Sequence, residues 1–553
     1  MNRRTFTKNT LGAIGLGLFR PVSIFSRSDD FDFIIKSGLI IDGSGAEGFV
    51  ADIGIQGEKI VAVGKLEASQ AYRVIDAEGL VVAPGFIDVH SHSEDELLVN
   101  PKAESKIRQG VTTEILGQDG NSIAPLTEDM QSTLDQHYQN TYGIRVDWRD
   151  FADYFQKLKQ TGTAVNVGTL VGQGTLREFV VGTADRPASF KEFKLMQKLA
   201  ADALQQGALG ISSGLEYTPG AFASREELIA ICKTMQFATG IYVTHIRDEA
   251  DYVLQALDEA IEVAKGADVS LHISHLKCMG RRNWSKLADV FEKFRRARFK
   301  GVSITMDRYP YTAYNTSLSS LFPVWAREGD SQQFLQKLRN PELLPKIKEA
   351  TLEKIKLIGS WDSVLISSVE LEKNKYLLGK RVSEVVSGNG SDGFDFVRQL
   401  IIEENNGVDM CGFAMSDENT RKILSHPSCM VATDASARAD YGKLSHSNPH
   451  PRTYGTFPRV IAKYVKEEKL FSLEEAIRKM TNLPAVRFGI KRRGKIRPDF
   501  FADLVIFHSA KIKDRATYNH PHRYPAGIKM VLVNGRVVIE QEQHTGALPG
   551  KIV

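Results

Sequence analysis

Eight apolar runs of strand length alternate with helical patterns through the middle of the chain. The runs cover residues 81–90, 111–116, 164–171, 208–212, 241–245, 269–275, 302–306 and 430–433. Strands that alternate with helices predict a parallel sheet, and a count of eight favours an α/β fold built on a closed (β/α)8 TIM barrel. A doubly wound open sheet is the alternative. It is disfavoured because no Gly-x-Gly-x-x-Gly segment follows any of these runs.

The two ends of the chain have another pattern, of short β-branched runs bounded by Gly and Asp. The C-terminal runs include an Asn534-Gly535 pair, which is typical of a tight hairpin. We therefore predict one small β-sandwich domain, assembled from residues 31–83 and 487–553, beside a barrel over residues 84–486. Between barrel strands 7 and 8, at about residues 317–429, the regular alternation of strands and helices is interrupted. This stretch predicts an inserted subdomain at the mouth of the barrel.

Residue types that bind metals recur at the carboxyl ends of the predicted strands. They are His90, His92, Asp119, His245, His275 and Asp434. Active sites of barrel enzymes lie at these ends. Each residue alone could be a core histidine or a helix cap, but together their imidazoles and carboxylates indicate a hydrolase site with one or two metal ions.

Composition excludes several other classes of function. The chain has 71 Lys and Arg against 67 Asp and Glu, a net charge of +4, and no basic stripe that would bind nucleic acid. Its 4 cysteines are scattered without a C-x-x-C pair, which argues against a zinc ribbon or a disulfide framework. No internal run is long and apolar enough to span a bilayer. These features favour a small-molecule substrate.

The N-terminus has the features of an export signal. Arg3 and Arg4 precede Phe6 and Lys8, and a short glycine-rich apolar stretch follows. This order resembles a twin-arginine signal, so residues 1–30 predict export to the periplasm. A frayed basic N-terminus is the alternative. No cysteine lies nearby for a lipid anchor, so we expect no stable membrane anchor after the signal is removed.

Several motifs carry a resemblance to a known family. The segments Pro84-Gly-Phe-Ile-Asp-Val-His-Ser-His92 and Thr433-Asp-Ala435 resemble the amidohydrolase superfamily. Finer motifs are similar to the N-acyl-D-amino-acid deacylases, or D-aminoacylases: Gly174-Thr-Leu-Arg177, Tyr309-Pro-Tyr-Thr-Ala313 and His450-Pro-Arg-Thr-Tyr-Gly-Thr-Phe-Pro-Arg459. The resemblance runs through most of the chain and implies a metal-dependent hydrolase that releases a carboxylate and a free D-amino acid.

The resemblance also implies roles for individual residues. His90 and His92 would hold a more exposed divalent ion, and His245 and His275 a more tightly bound one, with zinc the expected metal. Asp434 would contact the metal-bound water and act first as general base and then as general acid. The carboxylate of the substrate would be bound by Lys277, Tyr309 and Arg452. The resemblance is also compatible with assembly of this protein into a homo-oligomer.

One position departs from the family. Its members have a bridging cysteine in a Gly-Asn-Cys-Gly segment, and this chain has Gly117-Gln-Asp-Gly120 instead. A carboxylate can also bridge two divalent ions, and it is a harder ligand than a thiolate. Asp119 is therefore expected to bridge two metals or to coordinate one of them.

Three other functions are alternatives. A D-amino-acid dipeptidase uses closely related chemistry. A cyclic-amide hydrolase of the dihydroorotase or hydantoinase type normally has a carboxylated lysine on strand four, but residues 208–213 contain no lysine. A binding protein without catalysis is disfavoured by the complete set of histidines and Asp434.

Overall fold

The computed structural model describes residues 31–237, 240–390 and 392–553, and these form an α/β fold, as predicted. The export signal predicted over residues 1–30 lies outside the described residues. Within the described ranges, no helix has the length and apolar character needed to cross a bilayer.

The strands fall into a mixed terminal sheet, a parallel series and a small inserted sheet. In chain order they are β1 (Phe31–Ile40), β2 (Phe49–Gln56), β3 (Lys59–Gly64), β4 (Ala71–Asp76), β5 (Val81–Pro84), β6 (Phe86–Asp88), β7 (Val111–Leu116), β8 (Asn166–Thr169), β9 (Val171–Gly172), β10 (Gly210–Gly214), β11 (Ile241–His245), β12 (Ser270–Ile273), β13 (Ile304–Arg308), β14 (Tyr314–Ser317), β15 (Val364–Ser368), β16 (Asp409–Gly412), β17 (Cys429–Val431), β18 (Leu504–Phe507), β19 (Ile528–Val533), β20 (Arg536–Glu540) and β21 (Gln543–His544). The parallel series contains β6 to β13 and β17, and it carries the predicted site.

The helices mostly fill the gaps between the parallel strands. In chain order they are α1 (Glu96–Val99), α2 (Glu104–Ile107), α3 (Glu128–Tyr142), α4 (Phe151–Thr161), α5 (Gln173–Val181), α6 (Phe190–Gln205), α7 (Arg225–Cys232), α8 (Val253–Ala267), α9 (Leu287–Phe299), α10 (Ser331–Arg339), α11 (Leu344–Ile358), α12 (Val382–Asn389), α13 (Gly393–Glu403), α14 (Asp417–Ser425), α15 (Arg452–Arg459), α16 (Leu473–Met480) and α17 (Asn482–Arg487). A π-helix, Val460–Glu467, continues α15. Ser189, Ser224 and Ser472 cap the N-termini of α6, α7 and α16 by accepting a backbone N–H.

The parallel strands pair in the order β6-β7-β8 and β9-β10-β11-β12-β13-β17. β8 and β9 are separated only by Leu170. The N–H of Leu170 donates to the carbonyl of Leu116, the last residue of β7. A parallel bridge between Ser91 and Ala435 joins the chain just beyond β6 to the chain just beyond β17. The pairing thus connects the last parallel strand back to the first.

Both ends of the chain contribute to the terminal sheet. Its strand path is β21-β20-β19-β18-β5-β1-β2-β3, with β4 paired to β1. One apolar cluster joins the two ends, and it includes Ile35 and Ile53 from the N-terminal strands and Leu504 and Leu532 from the C-terminal ones. The strands between β13 and β17 form a separate antiparallel sheet, β14-β16-β15, which is packed on its own apolar cluster.

The prediction of one strand over residues 81–90 is wrong. The run divides at Gly85: β5 pairs with β18 in the terminal sheet, whereas β6 pairs with β7 in the parallel series. A Cβ at Gly85 would lie 2.1 Å from Thr112 Oγ1, so only glycine allows this close approach. Both halves are buried in different sheets, so hydrophobicity alone gives no sign of the break. Similarly, the run over 164–171 is interrupted at Leu170.

A buried lysine links the first and last parallel strands. Lys106 Nζ lies 2.7 Å from Asp88 Oδ2, 2.8 Å from Thr433 Oγ1 and 2.7 Å from the carbonyl of Ala435. Both side chains of the Lys106–Asp88 ion pair are inaccessible to solvent. The pair therefore fixes the backbone just before His90 and Asp434.

Replacement of Lys106 by Met is expected to destabilise the fold strongly. It would leave the Asp88 carboxylate buried without a counter-charge, and breaking such a pair costs about 3–5 kcal/mol of unfolding free energy. Denaturant unfolding of the purified variant measures the loss. Lys198→Met on the exposed face of α6 is the matched control and should stay within about 0.5 kcal/mol of wild type. Equal stability of the two variants would contradict the structural role of Lys106.

Candidate metal centre

The structure brings the six predicted metal-binding residues together at the carboxyl ends of the parallel strands. They are His90 and His92 after β6, Asp119 after β7, His245 at the end of β11, His275 after β12 and Asp434 after β17. They form two groups that share Asp119, and within each group the candidate ligand atoms lie within 4.8 Å of one another. Residues far apart in the chain thus converge at the face where barrel enzymes have their active sites.

The carboxylate of Asp119 lies between two pairs of histidines. Its Oδ2 is 3.4 Å from His90 Nε2 and 3.8 Å from His92 Nε2. Its Oδ1 is 3.5 Å from His275 Nε2 and 4.0 Å from His245 Nδ1. Because each oxygen faces a different pair, Asp119 has the geometry of a ligand shared by two cations.

Asp434 completes the first group and also contacts a predicted substrate-binding residue. Its Oδ1 is 3.3 Å from His92 Nε2 and 3.6 Å from His90 Nε2, and its Oδ2 accepts a 2.8 Å hydrogen bond from Arg452 Nη1. Burial alone would raise the pKa of Asp434, but Arg452 and His90 outweigh it and hold this pKa below its usual value. The carboxylate of Asp434 is therefore ionised near neutral pH.

Several buried atoms of the centre have no hydrogen-bond partner among the described residues. They are both ring nitrogens of His90 and Oδ1 of Asp119. In addition, His245 Nδ1 and His275 Nε2 face each other at 3.0 Å. Leaving such groups unsatisfied costs about 1–3 kcal/mol each. Imidazole nitrogens and carboxylate oxygens are ligands that zinc and similar divalent ions accept, so the residues present fit two divalent cations.

Three of the six residues have backbone conformations that side-chain-bearing residues seldom adopt. The φ angles are +53° at Asp119, +33° at His275 and +51° at Asp434. Such strain tends to occur where a functional side chain must be aimed in a particular direction. Glycine makes one of these turns possible, because a Cβ on Gly214 would lie 1.9 Å from the carbonyl oxygen of Asp119.

Asp307 is a buried carboxylate behind the centre that the sequence analysis missed. Its Oδ2 lies 2.8 Å from His272 Nε2 and 3.5 Å from His90 Nδ1, and its Oδ1 accepts the backbone N–H of His275 at 2.8 Å. Although burial opposes ionisation, the hydrogen bond from His272 and the nearby ring of His90 lower the pKa of Asp307. The sequence signal for Asp307 is its position one residue beyond the predicted strand over 302–306, which places it near the end of β13.

Two further carboxylates, also missed, lie beside the second histidine pair. Glu249 Oε1 is 3.1 Å from His275 Nδ1, and Glu216 Oε2 is 3.4 Å from His245 Nε2. Lys277 is predicted to bind substrate, but in the structure its Nζ contacts both Glu249 oxygens, at 2.6 and 2.7 Å. No sequence signal marks Glu216 or Glu249, because both lie in segments without regular secondary structure.

All three predicted substrate-binding residues line one cavity with the metal centre. Lys277, Tyr309 and Arg452 border a space of about 460 Å³, together with His92 and Asp434. The Arg452 guanidinium lies 4.5 Å from the centre of the Tyr309 ring. A planar cation fixed over an aromatic ring, beside the carboxylate of Asp434, can bind a carboxylate ligand through two parallel hydrogen bonds.

Comparison with known proteins identifies relatives over nearly the whole chain. The amidohydrolase family model matches residues 73–314 and 423–539, and the gap between these stretches overlaps the predicted insertion. D-aminoacylase from Alcaligenes xylosoxydans xylosoxydans is 34% identical over 529 residues, which is 96% of this chain and 98% of the relative. N-acyl-D-glutamate deacylase from the same organism is 34% identical over 95% of this chain and 97% of its own length.

Solved structures agree with these matches. A crystal structure of a D-aminoacylase superposes with a TM-score of 0.79 at 35% identity, covering 94% of this chain and 99% of its own. N-acyl-D-glutamate deacylase from Bordetella bronchiseptica, in complex with zinc and a phosphonate inhibitor, superposes with a TM-score of 0.80 at 31% identity, covering 95% and 99%. Given the family match, the length of these alignments and the shared fold, this chain belongs to the amidohydrolase family.

Proposed function

We propose that this protein hydrolyses the amide bond of N-acyl-D-amino acids with the help of divalent metal ions. The observation that carries the proposal is the Asp119 carboxylate between two histidine pairs, with Asp434 and Arg452 at the edge of the same cavity. The relatives named above as a D-aminoacylase and an N-acyl-D-glutamate deacylase support the substrate class. The products are a carboxylate and a free D-amino acid.

We also propose that the chain is divided into a barrel, a terminal β-sandwich domain and an insertion. The nine strands of the parallel series, with β8 and β9 counted as one strand interrupted at Leu170, are proposed to form a closed (β/α)8 barrel over residues 84–486. The pairing of Ser91 with Ala435 supports this closure. The two chain ends, 31–83 and 487–553, are taken as one β-sandwich domain, and residues 317–429 as an insertion at the barrel mouth. The apolar clusters of the terminal sheet and of the insertion support both assignments.

We assign the metal ligands as follows. His90 and His92, with Asp434, would hold one ion, His245 and His275 would hold the other, and Asp119 would serve both groups, with zinc the expected metal. When bound, such ions polarise the scissile carbonyl and lower the pKa of a water molecule. The supporting observation is that the buried atoms His90 Nε2 and Asp119 Oδ1 have no protein partner among the described residues.

Asp434 is proposed to move the proton. Its ionised carboxylate accepts a proton from the attacking water and then delivers it to the nitrogen of the leaving amine. Arg452 keeps Asp434 ionised and also orients it through the 2.8 Å hydrogen bond to Oδ2. Arg452, Tyr309 and Lys277 bind the carboxylate of the substrate. In the structure, the ammonium group of Lys277 contacts both oxygens of Glu249.

Export through the twin-arginine route remains part of the proposal. Arg3 and Arg4 support it, since that route carries folded proteins and would suit an enzyme that acquires its metals before export. The proposed location is the periplasm.

A substrate panel tests the proposed reaction. Metal-loaded protein is incubated with N-acyl-D-amino acids, D-dipeptides and cyclic amides, and release of free amine is measured. We expect the N-acyl-D-amino acids to give the highest kcat/KM. The cyclic amides are expected to be poor substrates because β10, Gly210–Gly214, offers no lysine to bridge metals. Preferential turnover of a cyclic amide or a dipeptide would contradict the proposal.

Asp307 is expected to strengthen metal binding without being a ligand. Replacing it with Asn weakens the acceptor that faces His90 Nδ1, and loss of such an outer partner typically lowers metal affinity by about 10–100-fold. Dialysis against a graded series of chelator, followed by elemental analysis, measures metal retention directly. Asp258→Asn on the exposed side of α8 serves as the control. Equal retention by the two variants would rule out this role.

A further inference from the structure

A short segment near the C-terminus lies against the loop that leads into α15, the helix that begins at Arg452. We call residues 518–524 the C-terminal strap. Within it, His522 Nε2 donates to the carbonyl of Ser447 at 2.8 Å, and Nδ1 accepts from the hydroxyl of Tyr454 at 3.0 Å. Because a carbonyl oxygen can only accept, Nε2 of His522 is protonated in this contact. His522 therefore contacts both the loop before α15, through Ser447, and α15 itself, through Tyr454.

The strap makes further contacts with the same loop. The carbonyl of Tyr518 accepts from Asn448 Nδ2 at 2.9 Å, and the hydroxyl of Tyr518 lies 3.2 Å from His450 Nε2. At the C-terminal end of the strap, the Tyr524 hydroxyl donates to Asp440 Oδ1 at 3.0 Å. The strap thus contacts the loop before α15 at three positions, Asp440, Asn448 and His450.

His450 is the point where these contacts reach the substrate-binding residues. It is buried, with 1% of its surface exposed. Its Nδ1 accepts the backbone N–H of Arg452 at 2.9 Å, so Nδ1 carries no proton. Its Nε2 lies 3.0 Å from the carbonyl of Ala313, which can only accept. The neutral ring with its proton on Nε2 satisfies both partners, and burial together with Arg452 lowers the pKa of His450 well below its usual value.

The two partners of His450 belong to separate parts of the carboxylate-binding site. One is the backbone of Arg452, whose guanidinium contacts Asp434 and lies over Tyr309. The other is the carbonyl of Ala313, which ends the segment that begins at Tyr309. A single imidazole therefore fixes the distance between the two segments that present Arg452 and Tyr309.

We infer that His450 is a positioning residue for substrate binding: held by the C-terminal strap, it keeps Arg452 and Tyr309 at the spacing that binds the substrate carboxylate. This inference rests on the proposed function. His450 has no contact with the six metal-binding residues in the hydrogen bonds above, so its loss is expected to affect binding of the substrate more than the chemical step or the metal content.

Two variants of His450 separate its two hydrogen bonds. His450→Asn keeps an acceptor near Nδ1 for Arg452, and His450→Gln keeps a donor near Nε2 for Ala313. For an N-acyl-D-amino acid, we expect each variant to raise KM by about 10–100-fold, the range expected for a misplaced binding group. The value of kcat and the metal content should change far less. The KM effects of His450→Gln and Arg452→Met should also be non-additive in the double variant, because both act on one site.

His426 is a matched control. Its Nδ1 accepts the backbone N–H of Ser428 at 3.2 Å, which is the same local contact that His450 makes with Arg452. It does not line the cavity, so His426→Gln should leave KM unchanged. Tyr518→Phe removes only the hydroxyl near His450 and should raise KM in the same direction, even if the His450 variants do not fold.

The possible results are distinct. A wild-type enzyme that releases no amino acid contradicts the proposed function and, with it, this role of His450. An active wild type whose KM is unchanged in His450→Asn, His450→Gln and Tyr518→Phe contradicts the role of His450 alone. Independent, additive effects of His450→Gln and Arg452→Met also overturn it.

Discussion

Asp434→Asn is expected to lose about 10²–10⁴-fold in kcat, the contribution typical of a positioned general acid–base group. The amide cannot accept the proton of the attacking water, yet it is almost the same size and keeps an oxygen near His90 and His92. The amide NH2 would then take the position of Oδ2, so the hydrogen bond from Arg452 Nη1 is lost and KM is expected to rise as well. Steady-state kinetics on an N-acyl-D-amino acid, with metal content measured on the same sample, checks this result.

Asp409→Asn is the control for this change. Asp409 borders the same cavity but does not belong to either candidate metal group, so this variant should keep most of the activity. If Asp434→Asn retained kcat within about tenfold of wild type with full metal content, another group would have to serve as the base. If it lost metal as well as activity, the loss could not be assigned to proton transfer, and the role of Asp434 as a ligand would dominate.

The second large effect concerns Asp119. Because its two oxygens face different histidine pairs, Asp119→Ala removes a ligand from both proposed ions at once. We expect at least about a 10–100-fold loss of metal affinity and a corresponding loss of activity at limiting metal. Asp119→Cys should recover zinc binding better than Asp119→Ala, because a thiolate is also a zinc ligand.

Metal titration of the apoprotein measures this effect. Wild type should bind two equivalents of zinc per chain, and Asp119→Ala should bind fewer at the same free zinc concentration. Asp409→Asn again provides a carboxylate-to-neutral control in the same cavity. Two tightly bound equivalents in the Asp119→Ala protein would show that the carboxylate is not shared, and the account of the centre would have to change.

The convergence of the six candidate metal-binding residues could be predicted because of how parallel sheets are built. All strands of such a sheet end at the same face, so polar residues that follow apolar runs converge there. His245 and His275 are 30 residues apart in the chain but have facing nitrogens in the structure. The alternation of apolar runs and helical patterns was sufficient to place both histidines at strand ends. Only the structure gives the 3.0 Å distance between His245 Nδ1 and His275 Nε2.

What the sequence could not indicate depends on contacts between distant segments. The break at Gly85 is set by Thr112, and no local pattern marks it. Asp307 resembles an ordinary residue at a strand end until His90 and His272 are found beside it. Similarly, Lys277 was predicted to be available to substrate, whereas Glu249 already pairs with it. Such residues are identified by their partners rather than by their own position in the chain.

The central claim is metal-dependent deacylation of N-acyl-D-amino acids, and a comparison of enantiomers tests it most directly. Zinc-loaded wild-type protein is given matched pairs of N-acyl-D- and N-acyl-L-amino acids, and the free amino acid released is measured before and after chelation. We predict release from the D-enantiomers, little from the L-enantiomers, and loss of activity on chelation that zinc restores. No release from any D-enantiomer, or equal release before and after verified metal removal, would contradict the account.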